Sequence, residues 1–386
     1  MENIRYHSVI PTNDRPGTFD AAQQCTAGGF TDSDLVDFEF DVPGRSLVRN
    51  SLEISADITF LNGGVPIASA AGAAGVVTID HNAGAHAIFE SFSTSSFLQG
   101  NLESIGTAYP RFAAVMLAGD NNRVDVPEAT KLLEWRSPDN DISGSFCRVR
   151  TQIGNGVNVS ERQRFNLKPR IMLNRTSSDI PFSKTGRMRI STNLTTPNRL
   201  FQNQLNAPGA NGFRLANLRL NFRSVPEVKA SGPITAMKAV ALKTTISSSL
   251  ANISINIPSV AATGITLCFQ NSNNENNATS NCNKLEYINV DSIQYLFNSA
   301  NSYLSYKLDD KSEMIRRAIA SFSSDVDEAS YQVSPEDLAA GRNFFLGSNL
   351  DGIMDLSKNS FDVQIQSDIA GVNHNVYIFC HELAQL

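Results

Sequence analysis

Residues 79–92 read IDHNAGAHAIFESF, with His81 and His86 five positions apart, Asp80 beside the first and Glu90 after the second. Imidazoles near carboxylates are the donor set of a zinc centre or of an acid–base pair. The spacing fits neither well. Two ligands on a helix stand at i and i+4, two on a strand at i and i+2, and five residues through Gly84 match neither repeat. His7, His374 and His381 lie near the termini and offer no third ligand by sequence. The expectation is a turn leading into a buried apolar stretch, AIFESF.

Other reactive side chains are equally scattered. Asp351 and Asp355 in SNLDGIMDLSKNSFD carry the group needed for glycoside hydrolysis or calcium, but not the spacing of an EF-hand, and read as loop acids. There is no GxSxG, phosphate-binding loop or GxGxxG, and Cys147 has no partner histidine in a recognisable context. Cys25, Cys147, Cys268, Cys282 and Cys380 form no CxxC pair. Cys268 and Cys282 bracket QNSNNENNATSN and would close a loop if oxidised, but a chain without a secretory leader keeps its thiols reduced. Neither a catalytic residue, a cofactor, a metal nor a small-molecule substrate is expected.

Charge is more informative. Between Arg136 and Arg223 stand 15 Lys or Arg against 4 Asp or Glu, leaving 17 basic and 34 acidic residues for the remainder of a chain whose net charge is −6. Within the basic region, Arg148 and Arg150, Arg162 and Arg164, and Arg187 and Arg189 form R-x-R pairs in strand-like runs. Positions i and i+2 of a strand share a face, so each pair presents two guanidinium groups together. Phe165, Phe213 and Phe222 fall at core-like positions and do not interleave with these cations as bases would require. The arginines are therefore candidates for contact with an acidic neighbouring subunit, ahead of a lipid or genome surface.

The elements that must carry them read as strands. DLVDFEFDV and NSLEISADITFL alternate apolar with polar, and GVVTID, FCRVRTQI, RFNLKPRIML, GRMRISTNL and FRLANLRLNFRSV follow between Gly, Pro, Asn and Ser clusters. Residues 1–30 lack periodicity and read as an extended N-terminal arm. VPEVKASGP, residues 225–233, breaks the pattern, after which ITAMKAVALKTTIS, ANISINI, GITLCFQ, YINVDSIQYLF, FFLGS, SFDVQIQS and NVYIFCHEL resume it. VPEATKLLEW and SPEDLAAG read as short helices in connecting loops. The expected fold is all-β: two tandem eight-stranded sandwiches, over 31–225 and 226–386. The opening residues lack a leader's apolar core, and no run approaches the roughly 18 apolar residues that span a bilayer, so a soluble chain is expected.

The run from Asp80 through Gly84-Ala85-His86, Phe89, Gly100, Leu102-Glu103 and Tyr109-Pro110-Arg111 resembles a segment of the double jelly-roll major capsid proteins of tailless icosahedral double-stranded DNA viruses, with polinton-like viruses and virophages the nearest likeness. RFNLKPRIMLN with IPFSKTGRMRIST, FRLANLRLNFRSVPE, FFLGSNLDGIMDLSKNSFDVQIQS and NHNVYIFCHEL continue it in order, whereas residues 271–283 match nothing in that pattern and read as an outer loop. The resemblance implies two jelly rolls per chain and a homotrimeric, pseudo-hexagonal, hexon-like capsomer. It implies neighbouring capsomers, penton and minor capsid proteins as partners. It places the protein in the virion after synthesis in the host cytoplasm, with the N-terminal arm reaching an internal membrane or the genome. Two rivals start from the same strands: a glycan-binding tandem sandwich of the lectin or viral-spike type, poorly served by one Trp and eight Tyr, and an enzyme on a double sandwich.

Overall fold

The computed structural model describes residues 3–20, 25–62, 64–66, 77–80, 83–120, 152–153, 163–202, 211–228, 232–277, 280, 282–298, 301–302, 307–321, 344–369 and 371–386. The expected all-β tandem is what the chain adopts. Strand Met188–Leu194 shows why: Met188, Ile190, Thr192 and Leu194 are buried while Arg189, Ser191 and Asn193 face outward, the period-two pattern of a half-buried sheet.

In the first sandwich, one sheet runs Gly100–Ile105, Phe89–Ser96, Met188–Leu194, Leu35–Phe40. The larger sheet opposite runs Gln163–Leu167, Glu53–Asn62, Asn211–Pro226, Arg45–Leu47, Ile180–Pro181, with short strands added at its sides. The second sandwich has two four-stranded sheets. One is Thr235–Ile246, His374–Gln385, Ala262–Asn271, Phe345–Met354, and the other is Leu250–Ile255, Phe361–Ser367, Val290–Phe297, Asn301–Ser302. Among the described residues, strands up to Pro226 pair among themselves and strands from Thr235 among themselves, with one antiparallel bridge, Thr176 with Ala236, joining the two sets.

The described residues of the first 30 are largely extended and lie on their own chain. Arg5–Val9 adds to Asn211–Pro226, with Arg5 opposite Ser224 and Val9 opposite Leu220. Phe30–Thr31 pairs with the same strand higher up, and the backbone N–H of the buried Cys25 donates to the Thr59 hydroxyl at 3.1 Å. Docking through such short pieces leaves no repeat to detect in sequence.

Two longer helices were not anticipated. Tyr109–Asp120 is buried on every side from Tyr109 to Leu117, so it has no polar face and no 3.6-residue signal. Lys311–Ala320 begins at Asp310, whose side chain accepts the Ser312 N–H at 2.9 Å, and turns Met314, Ile315, Ala318 and Ile319 into the core beside Phe345–Met354. Its end lies so close to the sheet that a Cβ on Gly264 would sit 2.0 Å from the Ser321 carbonyl oxygen. The expected helices VPEATKLLEW and SPEDLAAG lie outside the described residues. RFNLKPRIML, expected as one strand, is a strand only over Gln163–Leu167. Pro169 has no N–H for a ladder, and a 3-10 turn follows at Met172–Asn174. Among the described residues, no helix is long and apolar enough to cross a membrane.

Candidate functional site: the seam between the sandwiches

Of the residues that looked chemical in sequence, Asp80, His86 and His381 lie at the seam. Asp80 is 1 % exposed. Its Oδ1 accepts the Ala83 N–H at 2.6 Å, fixing the turn into the 3-10 helix Gly84–Ile88, and its Oδ2 accepts the Asn283 Nδ2–H at 3.0 Å from the second sandwich. His86 is fully buried, with Nδ1 2.9 Å from the Tyr109 hydroxyl. That hydroxyl accepts the Arg170 N–H at 3.2 Å, which leaves its own proton for the imidazole. His81 lies outside the described residues. The turn and the buried AIFESF stretch are thus as expected: Ala87, Ile88, Phe89 and Phe92 are all core.

Two residues beyond Tyr109, Arg111 crosses into the other sandwich. It is 3 % exposed. One terminal nitrogen donates to Gln270 Oε1 at 2.6 Å and to the Cys282 carbonyl at 2.8 Å, while the guanidinium lies 4.0 Å from the centroid of the Tyr377 ring. The Tyr377 hydroxyl donates to Glu275 at 3.1 Å, and Lys243 Nζ reaches both Glu275 oxygens at 2.8 and 2.7 Å. Burial opposes ionisation of Glu275, but the Lys243 bond and charge, Arg111 and the Tyr377 hydroxyl outweigh it and hold the carboxyl below its ordinary range. The Arg111 charge is therefore desolvated and held through one terminal nitrogen and the Tyr377 ring, while its buried Nε makes no hydrogen bond among the described residues. One residue further on, Phe112 packs on Phe379 at 5.2 Å and on His381 at 6.1 Å, with Arg175 over its ring at 5.7 Å. Burial, with Arg175 adding to it, keeps His381 well below the usual imidazole range, so it stays neutral; its Nε2 lies 2.9 Å from the Thr266 hydroxyl.

Glu103 closes the seam from the strand before the helix. Its Oε2 accepts the Met172 N–H at 2.7 Å in its own sandwich, and its Oε1 the Ala239 N–H at 2.8 Å in the other. On the same edge of Thr235–Ile246, the Met237 N–H bonds the Arg175 carbonyl at 2.9 Å and the Thr235 N–H bonds the Ser177 hydroxyl at 3.1 Å. The first sandwich thereby covers part of an edge that would otherwise present open donors. Burial pushes the Glu103 pKa up to about 7 against the two N–H bonds and the charges of Arg175 and Lys238.

The six candidate arginines do not share one environment. Arg187 and Arg189 are exposed on one face, as the spacing requires, yet both meet acids of their own chain. Arg187 reaches Glu39 at 3.3 Å, and Arg189 bonds both Asp37 oxygens at 3.2 and 2.9 Å. Arg164 is exposed on the outer face of an edge strand, with Phe165 and Leu167 turned inward. Arg148, Arg150 and Arg162 lie outside the described residues. Cys268 and Cys282 are buried free thiols, and Cys282 Sγ donates to the Asn198 carbonyl at 3.2 Å. Reading residues singly missed Arg111 and Glu103 as structural pivots; both stood in the segment that carried the resemblance.

No family model and no curated protein sequence matches the chain. Solved structures do. It is similar to the structure of the Sputnik virophage, at 10 % identity and TM-score 0.58 over 100 % of this chain and 86 % of that one. The Faustovirus major capsid protein matches at 10 % identity and TM-score 0.56, covering 100 % and 90 %. The mavirus major capsid protein matches at 9 % and 0.52, covering 97 % and 86 %. At such identities the likeness is one of fold: the chain is a double jelly roll.

Proposed function

We propose that this chain is a major capsid protein of a tailless icosahedral double-stranded DNA virus, three copies forming a pseudo-hexagonal capsomer. The observation that carries this is the seam. Asp80, Glu103 and Arg111 tie each sandwich to the other through buried polar bonds, so one chain supplies two upright sandwiches at a fixed angle, and three chains supply six. A tile needs that fixed angle; a reaction does not. The reading is supported by the double jelly-roll fold, which the chain shares with the major capsid proteins of Faustovirus and mavirus. The virion is the place of action, neighbouring capsomers, penton and minor capsid proteins are the partners, and the first 30 residues meet an internal layer or the genome. Of the six arginines offered as subunit contacts, Arg164 carries the proposal most directly, since Arg187 and Arg189 are matched within the chain.

Light scattering of the purified protein tests it. The expected mass is three times the 42.0 kDa chain, with six-sided particles by electron microscopy. A monomer that retains affinity for a glycan array would overturn the proposal in favour of the lectin reading.

A further inference from the structure

The N-terminal strand is held to its sheet by few side chains, and one of them titrates. Within Arg5–Val9, Arg5, Tyr6 and Ser8 are exposed, while His7 and Val9 are partly buried. The His7 ring lies flat on Phe222, with centroids 4.8 Å apart and planes 18° from parallel. Its Nε2 stands 2.8 Å from the Ser224 hydroxyl. Arg45 shares that hydroxyl: its Nε donates to it at 2.7 Å. A terminal nitrogen of Arg45 donates to the Ser224 carbonyl at 2.9 Å and to the Asn3 carbonyl at 2.5 Å. Ser224 is fully buried, and Arg45 nearly so.

These contacts fix where each proton points. A guanidinium only donates, so the Ser224 oxygen accepts from Arg45 and sends its single proton to His7. The imidazole therefore accepts at Nε2, which requires a neutral ring with its proton on Nδ1. Protonating Nε2 turns that acceptor into a donor. The buried Ser224 proton then faces no acceptor among the described residues, an expensive way to leave a donor. The surrounding charges act in the same direction. Burial, Arg45 and Arg5 all oppose a positive imidazole and hold the His7 pKa below its ordinary 6.5. Phe222, with Phe40 and Phe182 behind it, brings apolar surface only. Tyr6, Glu53 and Arg223 belong to the opposite face of the sheet by alternation. Of the nearby acids, Asp37 and Glu39 pair with Arg189 and Arg187, Glu227 accepts the Ser183 hydroxyl, and Asp41 is exposed in the turn before Arg45.

We propose that His7, Ser224 and Arg45 form an acid-sensitive latch, which keeps Arg5–Val9 docked at neutral pH and lets it go when His7 takes up a proton. The freed strand binds that proton more tightly than the docked one. Docking is therefore complete above about pH 6.5 and weakens as the pH falls below it. Release bares the edge of Asn211–Pro226 from Leu220 to Ser224, whose backbone groups then face water or a new strand. The latch lies within one chain and does not depend on the capsomer reading.

Hydrogen exchange of the full chain, read by mass spectrometry and corrected for the intrinsic rate at each pH, provides the test. From about pH 7.5 to about pH 5.5, protection over Arg5–Val9 is expected to fall on the order of tenfold while Phe89–Ser96 stays protected. His7→Gln keeps an acceptor for the Ser224 proton but cannot become charged, so its protection should be the same at both pH values. His7→Phe, which keeps the ring on Phe222, serves in its place if the Gln variant does not dock. Arg45→Met leaves the Ser224 hydroxyl able to accept from a protonated ring and removes one opposing charge, so the drop should move to lower pH. Wild-type protection that ignores pH overturns the latch. So does a drop of wild-type size in a docked His7→Gln or His7→Phe chain, which would assign the acid response to another group.

Discussion

The Arg111 guanidinium, borne by the first sandwich, stands 4.0 Å from the centroid of the Tyr377 ring in the second and shares its hydrogen bonds with Gln270 and Cys282 there. A buried cation with this many partners is costly to delete. Arg111→Ala takes one donor from each of the Gln270 and Cys282 acceptors and the cation from the Tyr377 ring, and is expected to lower stability by about 3 kcal/mol; Arg111→Lys, which keeps charge but not the planar group, should fall between. Urea midpoints of the three proteins check the order.

Glu103 gives the seam a dependence on pH. Its folded pKa of about 7 lies above the ordinary 4.5, so the folded state binds the proton more tightly than the unfolded chain. The resulting stabilisation is complete below about pH 4.5 and is lost as pH rises through about 7, amounting to about 3 kcal/mol. Glu103→Gln stays neutral throughout. Its stability relative to wild type should therefore climb between pH 4.5 and 7.5, and a difference that stays flat would remove this role.

The Asp80–Asn283 bond crosses the seam at 3.0 Å. A double-mutant cycle with Asp80→Asn and Asn283→Ala should return a coupling of about 1 kcal/mol. Additive effects would mean that the two side chains do not act together.

Gly264 lies where the end of Lys311–Ala320 meets the sheet. Because an added Cβ would be 2.0 Å from the Ser321 backbone oxygen, Gly264→Ala must push helix and strand apart and is expected to cost about 2–3 kcal/mol. Thermal melts against Gly232→Ala, where a Cβ meets nothing within 4 Å, provide the control.

Arg189, 49 % exposed at its side chain in the pair with Asp37, belongs to the weaker class. Arg189→Ala should change stability by less than about 1 kcal/mol, and less still at high salt.

Strands were legible wherever one sheet face meets water, as in Met188–Leu194, where alternation is written into the residues. Tyr109–Asp120 was illegible for the opposite reason: it is enclosed between two sandwiches, and a helix buried all round carries no periodicity. The docked N-terminal strand was missed because its partner lies more than 200 residues away, at Leu220–Ser224. At the seam, Asp80 fixes a turn and reaches across to Asn283, and His86 meets the Tyr109 hydroxyl. Their partners, Asn283 and Tyr109, are spatial neighbours that no local pattern announces. For the arginines, charge counting found the basic region but could not separate Arg189, already matched by Asp37, from Arg164, which among the described residues takes part in no ion pair.

Strand His374–Gln385 lies between Thr235–Ile246 and Ala262–Asn271 and brings Tyr377, Phe379 and His381 to the seam. It is also translated after every other strand of its sheet. Translation at ~5–20 residues per second takes roughly 8–30 s to pass from Pro226 to this segment, and for that interval the Tyr109–Asp120 wedge has no sheet to rest on. A message cut short before His374 would therefore release a polypeptide with the Tyr109–Asp120 helix bare, a target for chaperones or degradation.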